Sequence, residues 1–166
     1  MDASSQTRPS LLARLRTGGD HEAWTAFVRL YSPLVHRFAV RRGLQEADAA
    51  DLAQEVFRSV LESIRGFEYD PERGSFRAWL KKIARCRLHA LMVQRKRHGM
   101  VVGNTTVQEL IRECPSSEED DPVWEEEYRR CLFEQAARRV RVQFHESTWQ
   151  AFWLSLIHIS EPTRLR

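Results

Sequence analysis

The sequence predicts an all-α protein. Apolar residues recur at intervals of three and four along most of the 166-residue chain, which is the period of an amphipathic helix. No segment alternates apolar and polar residues as a half-buried strand would, and no internal repeat is visible. A hydrophobic content of 42% with 30% charged residues is typical of a folded, soluble chain. The length allows one domain or two small ones and excludes large α/β barrels.

The first helices are predicted from caps and breakers. Residues 1–9 are polar and have no period, so we expect a disordered lead-in. The helical pattern starts at Leu11, and Asp20 is a suitable N-cap for the next helix. Ser32-Pro33 matches an N-cap followed by proline at the first helical position, so a separate helix is expected over residues 34–42.

A further helix is predicted after Gly43, from Asp48 to Gly66. Asp48 is the expected N-cap, and Asp51 is the carboxylate that would complete a capping box. The helix has two faces, because its apolar and charged positions each recur at helical spacing. The apolar stripe is Leu52, Val56, Val60 and Ile64, and the charged stripe is Asp48, Asp51, Glu55, Arg58 and Glu62.

The later elements follow from the same signals. Residues 67–74 are expected to form a loop, and Ser75 to cap a long helix that ends near His98. Residues 99–121 lose the helical period and end in an acidic stretch, which predicts a linker. Residues 122–153 are expected to form the opening helices of a second domain. Those helices are predicted to begin at Asp121-Pro122 and at Ser147 or Thr148.

The last residues do not resemble a natural protein segment. Residues 154–164 read LSLIHISEPTR, which is the translation of DNA resembling a transposase adapter of sequencing libraries. We therefore expect residues 154–166 to be non-native and the native sequence after Trp153 to be missing. The alternative is a natural apolar helix end followed by a polar tail.

Positive charge is concentrated in one predicted helix. Nine basic residues and no acidic residue lie between Arg73 and His98. Arg77, Lys81 and Arg85 repeat at intervals of four and share one helix face, which favours contact with a phosphate backbone. The alternative is a solvated basic face that pairs with acidic neighbours.

Two aromatic residues precede this helix in the predicted loop. Phe67 and Tyr69 stand beside acidic residues, close to the basic segment. Aromatic side chains in such a place can stack an unpaired base, a contact worth about 1–3 kcal/mol. The alternative is that one or both pack under the loop against the core.

Negative charge is concentrated in the preceding helix. Residues 44–62 contain five acidic residues and one basic residue, Arg58. A carboxylate stripe repels DNA, so we expect it to face a different partner. Asp51, Gln54, Glu55 and Arg58 offer hydrogen-bonding groups to a partner protein. The alternative is an ordinary solvated helix face.

The motifs of catalysis and of metal binding are missing from the sequence. There is no HExxH pair, no GxSxG turn, no glycine-rich phosphate loop and no CxxC spacing among the three cysteines. We therefore predict that the protein is not an enzyme and uses no metal or cofactor. Neither a signal peptide nor a membrane-length apolar run is found, which predicts a cytoplasmic protein without a membrane partner.

Two segments in order resemble a known family. DLAQEVFRSVL (residues 51–61) is followed by GSFRAWLKKIARCRL (74–88) and the basic end QRKRH (94–98). Together they closely resemble region 2 of extracytoplasmic-function sigma factors, over roughly residues 11–98. The resemblance implies a helical region 2 domain over residues 10–98, a linker over 99–121 and an incomplete region 4 over 122–153. It also implies a sigma factor that directs RNA polymerase core to promoters and opens the minus-ten element.

The resemblance assigns partners by position. The helix that contains residues 51–61 would dock on the β′ clamp helices of RNA polymerase core. The following loop and the helix that contains residues 74–88 would bind promoter DNA. The resemblance leaves open whether an anti-sigma factor is a further partner. The implied polymerase-binding residues are Asp48, Asp51, Gln54, Glu55 and Arg58. The implied DNA-binding residues are Phe67, Tyr69, Arg77, Trp79, Lys81 and Arg85, with Arg95, Lys96 and Arg97 nearer the duplex phosphates.

Other interpretations stay open at this point. Trp79 shares its helical spacing with Phe76 and Ile83, which is typical of a core residue. The basic helix would equally suit an RNA-binding or adaptor module that works without RNA polymerase. A small hydrolase using Asp51 and Glu55 would need a metal ion or a buried carboxyl group.

Overall fold

A computed structural model describes residues 9–67, 76–96, 106–115 and 121–160. These residues form seven α-helices and one 3-10 turn, with no strand among them. The all-α prediction is confirmed. The helices are α1 (Pro9–Thr17), α2 (His21–Arg41), α3 (Glu46–Ser63), α4 (Phe76–Lys96), α5 (Val107–Glu113), α6 (Pro122–Arg141) and α7 (Glu146–Ser160), and the 3-10 turn is Ile64–Gly66.

The chain divides into two compact units within α6. The first unit is Met1–Tyr128 and the second is Arg129–Arg166. The first turns of α6 therefore belong to the same unit as α1 to α5. None of the described helices is long and apolar enough to cross a membrane.

The core of the first unit is built around Phe27 of α2, which is fully buried. Its ring makes edge-on contacts with Phe57 of α3 and Phe76 of α4, with centroid distances of 5.7 Å in both cases. Such aromatic pairs contribute about 0.5–1.5 kcal/mol each beyond their buried area. This cluster joins the three longest helices of the unit, and so it positions α3 and α4 side by side.

The predicted break at Ser32-Pro33 is wrong, because α2 continues through Pro33. An internal proline costs a helix about 3 kcal/mol, since it lacks a backbone N–H and crowds the preceding turn. The apolar positions before and after Pro33 lie on one continuous buried stripe, which offsets that cost. The predicted ends of the helix are confirmed: Asp20 accepts a hydrogen bond from the Ala23 N–H at 2.8 Å, and Gly43 follows the helix with a φ of +94°.

The predicted cap of α3 is also wrong. The helix begins at Glu46, its N-cap is Gln45, and no side chain caps it. Asp48 is therefore inside the first turn, and Asp51 does not complete a capping box. The Ala49 N–H already bonds to the Gln45 carbonyl at 2.8 Å. Negative charge in a first turn is favoured by the helix dipole, which explains why carboxylates are placed there.

A short helix, α5, lies within the segment that lost its period in the sequence. Thr106 and Glu109 form a full capping box around its first turn. The Thr106 hydroxyl and the Thr106 N–H both donate to the Glu109 carboxylate, at 2.8 and 2.9 Å, and these hydrogen bonds lower the pKa of Glu109. Val107 and Leu110 are buried. The T-x-x-E spacing was the available sequence signal for this helix.

The second unit contains the rest of α6 and α7. The helix α7 begins at Glu146, so the predicted caps at Ser147 and Thr148 are wrong. Trp149 is buried and its ring lies 5.8 Å from that of Trp153, which in turn meets Phe133 at 6.0 Å. The helix continues to Ser160 and therefore includes the first residues of the adapter-like segment.

Candidate nucleic-acid interface

A set of polar and charged residues, among them three carboxylates, shares one face of α3. We call Asp48, Asp51, Gln54, Glu55 and Arg58 the acidic stripe. The opposite face carries Leu52, Val56 and Val60, which are buried in the core. Asp51 and Gln54 are exposed, and the Arg58 side chain is 60% exposed. The amphipathic period seen in the sequence therefore corresponds to one buried face and one solvent-facing face.

Part of the acidic stripe is engaged by the chain's own cations. Arg58 lies 3.1 Å from Glu55, one turn away on the same helix. Asp48 pairs with Arg95 near the end of α4 at 2.5 Å. Asp51 and Gln54 make no ion pair within the described part of the chain. The middle of the stripe is thus available to a partner.

We call Arg77, Lys81 and Arg85 of α4 the basic face. Arg77 and Lys81 are held by an acidic residue of α6. The Glu125 carboxylate lies 3.5 Å from an Arg77 guanidinium nitrogen and 3.8 Å from the Lys81 ammonium. The Arg77 guanidinium also lies over the Tyr128 ring, 4.5 Å from its centroid. For Arg77 and Lys81, the structure therefore shows the alternative interpretation of the sequence, in which the basic residues pair with acidic neighbours. The acidic partner comes from α6 and not from α3.

The first turns of α6 are fastened to α2. Trp124 is fully buried and meets the Phe38 ring edge-on at 5.2 Å. Around this contact, arginines in and just after α2 face carboxylates in and just before α6. The pairs are Arg37 with Glu127 at 3.1 Å, Arg41 with Glu126 at 2.6 Å and Arg42 with Asp121 at 2.5 Å.

These ion pairs affect the ionisation of their members. Hydrogen bonds to Glu126 and Glu127 raise the pKa of Arg41. Burial on its own raises the pKa of Asp121, but the Arg42 guanidinium and the Trp124 N–H outweigh burial and hold that pKa below its usual value. Asp121 also caps α6, accepting from the Val123 and Trp124 N–H groups at 3.1 and 3.2 Å. The predicted start of this helix at Asp121-Pro122 is confirmed.

The aromatic residues near the start of α4 form a cluster. The Phe67 and Trp79 rings lie 4.6 Å apart at an interplanar angle of 35°, and both rings contact Phe76. Phe76 is buried, whereas Phe67 and Trp79 are half-buried. The pair therefore packs on the core and keeps exposed ring surface. Tyr69 lies outside the described residues.

The far end of α4 is described only in part. Arg95 is exposed and pairs with Asp48. Arg97 and the side chain of Lys96 lie outside the described residues.

Arg87, one of the nine basic residues, donates a hydrogen bond from its Nε to the buried hydroxyl of Ser59 at 2.8 Å. Its role is therefore to join α4 to α3.

Three residues near the basic face were not predicted from the sequence. Lys82 is exposed beside it, and Glu125 and Tyr128 cover part of it. The run Glu125-Glu126-Glu127 was visible and suited the dipole of α6. Nothing in the local pattern indicated which helix these carboxylates would meet.

The described residues contain no group of three or more His, Cys, Asp or Glu side chains that could hold a metal ion. Asp51 and Glu55, the carboxylates considered for a hydrolase, are not buried. The arrangement offers carboxylates on α3 and cations on α4 to charged partners.

Residues 27–98 match the family model for Sigma-70 region 2. The matched segment contains most of α2 and all of α3 and α4, which carry the acidic stripe and the basic face. No curated protein and no solved structure gives a significant match to the chain. The family match covers less than half of the chain.

Proposed function

We propose that this chain, a sigma-70 family member through its region 2, is an extracytoplasmic-function sigma factor that directs RNA polymerase core to promoters in the cytoplasm. One observation carries the proposal. Within the matched segment, two neighbouring helices present opposite charge, with carboxylates on α3 and cations on α4. Region 2 of this family implies binding to RNA polymerase core and to promoter DNA, and each helix suits one of these two partners.

The acidic stripe is the proposed docking site for the β′ clamp helices. Asp51 and Gln54 are exposed, and the Glu55 side chain is 43% exposed. Exposed carboxylate and amide groups can accept and donate hydrogen bonds across an interface while the apolar side of α3 stays in the core. Charge complementarity of this kind sets orientation and speeds association. We expect Asp51, Gln54 and Glu55 to be the centre of the contact.

The basic face and the aromatic cluster are the proposed site for the opened minus-ten element. Cations at intervals of four can follow a phosphate backbone, and exposed faces of Phe67 and Trp79 can stack an unpaired base. Stacking of about 1–3 kcal/mol per base offsets the few kcal/mol needed to unstack a base pair. The full proposed set is Phe67, Tyr69, Arg77, Trp79, Lys81, Arg85, Arg95, Lys96 and Arg97.

The proposed role involves binding and strand separation, with no bond made or broken by the chain itself. Sigma-70 region 2 is characteristic of initiation factors and not of catalysts. We also propose that residues 122–153 are the opening helices of a region 4 domain, although residues up to Tyr128 pack within the first unit.

The experiment is a pull-down of RNA polymerase core with the full chain. The test variant is Asp51→Ala with Glu55→Ala, which removes two negative charges from the acidic stripe. The matched control is Glu113→Ala with Glu146→Ala, which removes the same charge from exposed positions on α5 and α7. We expect at least a tenfold loss of core binding in the test variant only, about 1.4 kcal/mol. Equal binding by both double variants contradicts the docking site, and no binding by the unmodified chain contradicts the sigma-factor role.

A further inference from the structure

We propose that residues 121–128 form a self-inhibitory clasp that covers Arg77 and Lys81 of the basic face until nucleic acid displaces it. In the clasp, the Glu125 carboxylate occupies the place of a backbone phosphate and the Tyr128 ring occupies the place of a base. This inference rests on the proposed DNA-binding role of α4 and adds a regulatory element to it.

The contacts of Glu125 are those expected of a phosphate mimic. One carboxylate approaches two cations that stand one turn apart, Arg77 at 3.5 Å and Lys81 at 3.8 Å. The Lys81 side chain is only 13% exposed, although lysine is rarely buried unless it is paired. A phosphate oxygen that bound the same two cations would have to replace Glu125. Binding of the clasp and binding of DNA at this place therefore exclude each other.

Tyr128 blocks a second mode of contact. The Arg77 guanidinium lies 4.5 Å from the centroid of the Tyr128 ring, within the range of a cation–π interaction. Tyr128 is buried, so its ring is fixed in that position. While this contact lasts, that face of the guanidinium cannot stack on a base. Both recognition groups of Arg77, its charge and its planar face, are occupied at once.

The clasp packs against α2 but contains a buried donor without a hydrogen-bond partner in the described part of the chain. Trp124 is fully buried on Phe38, and carboxylates around it pair with arginines of α2. The buried indole N–H of Trp124 has no hydrogen-bond partner among the described residues. A buried donor left unpaired is costly. The clasp is thus held well enough to cover the basic face and weakly enough for a polyanion to displace it.

The test compares the affinity of full-chain variants for a fluorescent single-stranded oligonucleotide carrying a minus-ten-like sequence, measured by anisotropy. Glu125→Gln removes the phosphate mimic while keeping side-chain size. Glu113→Gln on α5 is the matched control, because it changes the net charge equally at an exposed position outside the clasp. We expect Glu125→Gln to bind about three- to tenfold more tightly than Glu113→Gln, the release expected from two ion pairs. Tyr128→Leu, which keeps apolar bulk, should also bind more tightly than the unmodified chain.

The outcomes separate the clasp from the sigma-factor proposal. If Glu125→Gln and Glu113→Gln bind the oligonucleotide equally while the unmodified chain still binds RNA polymerase core, the clasp is wrong and the proposed function stands. If Glu125→Gln binds more tightly but no form of the chain binds core polymerase, the clasp is supported and the sigma-factor role fails. If no form binds the oligonucleotide, the clasp and the proposed DNA contact of α4 are overturned, while the pull-down of core polymerase still decides the docking of α3.

Discussion

Asp48 and Arg95 form an ion pair that joins the first turn of α3 to the end of α4, with 2.5 Å between carboxylate and guanidinium. The contact brings together one residue proposed for the polymerase and one proposed for DNA. It does not merge the two surfaces, because Asp51 and Gln54 further along α3 are exposed and Arg77 and Lys81 are paired with α6. Within the described residues, the printed ion pairs between α3 and α4 therefore involve the end of the acidic stripe and not its middle.

The Asp48–Arg95 pair should contribute little to stability. Its side chains are 34% and 45% exposed, and a pair of that exposure is worth about 0.2–1 kcal/mol. A double-mutant cycle with Asp48→Asn and Arg95→Gln, read by urea unfolding, should give a coupling energy in this range that shrinks at high salt. A coupling that ignored salt and exceeded the range would mean that the pair is shielded from solvent.

Arg85 offers the cleanest test of DNA binding on the basic face. Arg77 and Lys81 also hold Glu125, so substituting them changes the clasp as well as the proposed DNA contact. Arg85→Ala should weaken binding to a single-stranded oligonucleotide and lower the slope of log affinity against log salt by about 0.7. Arg139→Ala on the exposed part of α6 is the charge-matched control and should leave both quantities near those of the unmodified chain. An unchanged slope for Arg85→Ala would remove this residue from the interface.

Asp121 should matter for the folding of the first unit, because it both caps α6 and pairs with Arg42. Asp121→Ala should lower the free energy of unfolding by about 1–2 kcal/mol through the lost cap. Asp121→Asn, which retains an oxygen acceptor for the cap, should lower it less. Denaturant titration of the unmodified chain, Asp121→Asn and Asp121→Ala measures the free energy of unfolding of each. Equal stability of Asp121→Ala and the unmodified chain would contradict the capping role of Asp121.

The pH dependence of stability follows from the same residue. The pKa of Asp121 is lower in the folded chain than its ordinary value of 3.8, so the unfolded state takes up its proton first as pH falls. The stabilisation is therefore complete above about pH 5 and is lost as pH falls below 3.8 toward the folded-state pKa. The lowered pKa values of Asp20 and Glu109 act in the same direction. Acid unfolding of Asp121→Asn should show a smaller loss of stability in this range, measured by circular dichroism at constant ionic strength.

The three cysteines should differ in reactivity. Cys86 is buried, and burial together with a hydrogen bond to Cys114 raises its pKa to about 12. Cys131 is buried as well, whereas Cys114 is half-buried. Because the thiolate is the reactive form, alkylation at pH 8 should label Cys114 first and leave Cys86 unmodified in the folded chain. Mass spectrometry of partly labelled protein checks this order, and urea should abolish it. Early labelling of Cys86 would show that α4 opens readily.

Local signals predicted much of the fold. Asp20 and Asp121 were identified as caps from their positions before helical patterns, and both accept the expected backbone N–H groups. The split of charge between residues 44–62 and 73–98 was also readable, and it corresponds to separate helices. Such signals act over one or two helical turns, so a short window of sequence contains all that they need.

Other local signals gave wrong predictions, because tertiary packing outweighed them. Pro33 indicates a helix boundary in isolation, yet the buried stripe on both sides of it keeps α2 continuous. The helix α3 begins three residues earlier than predicted, because backbone hydrogen bonding to the Gln45 carbonyl starts the helix before Asp48 can cap it. In both cases the packing of a whole helix on the core outweighs one residue's preference.

By itself, the amino-acid sequence determined the helical class, the amphipathic faces and the separation of charge, because each depends on residue types at fixed short spacing. Only the tertiary structure decided that Glu125 meets Arg77 and Lys81, and that Phe67 packs against Trp79. The Glu125 contacts join residues more than forty positions apart. A carboxylate is attracted to any cation, so its charge does not select a partner. The burial of Trp124 against α2 places Glu125 beside Arg77 and Lys81.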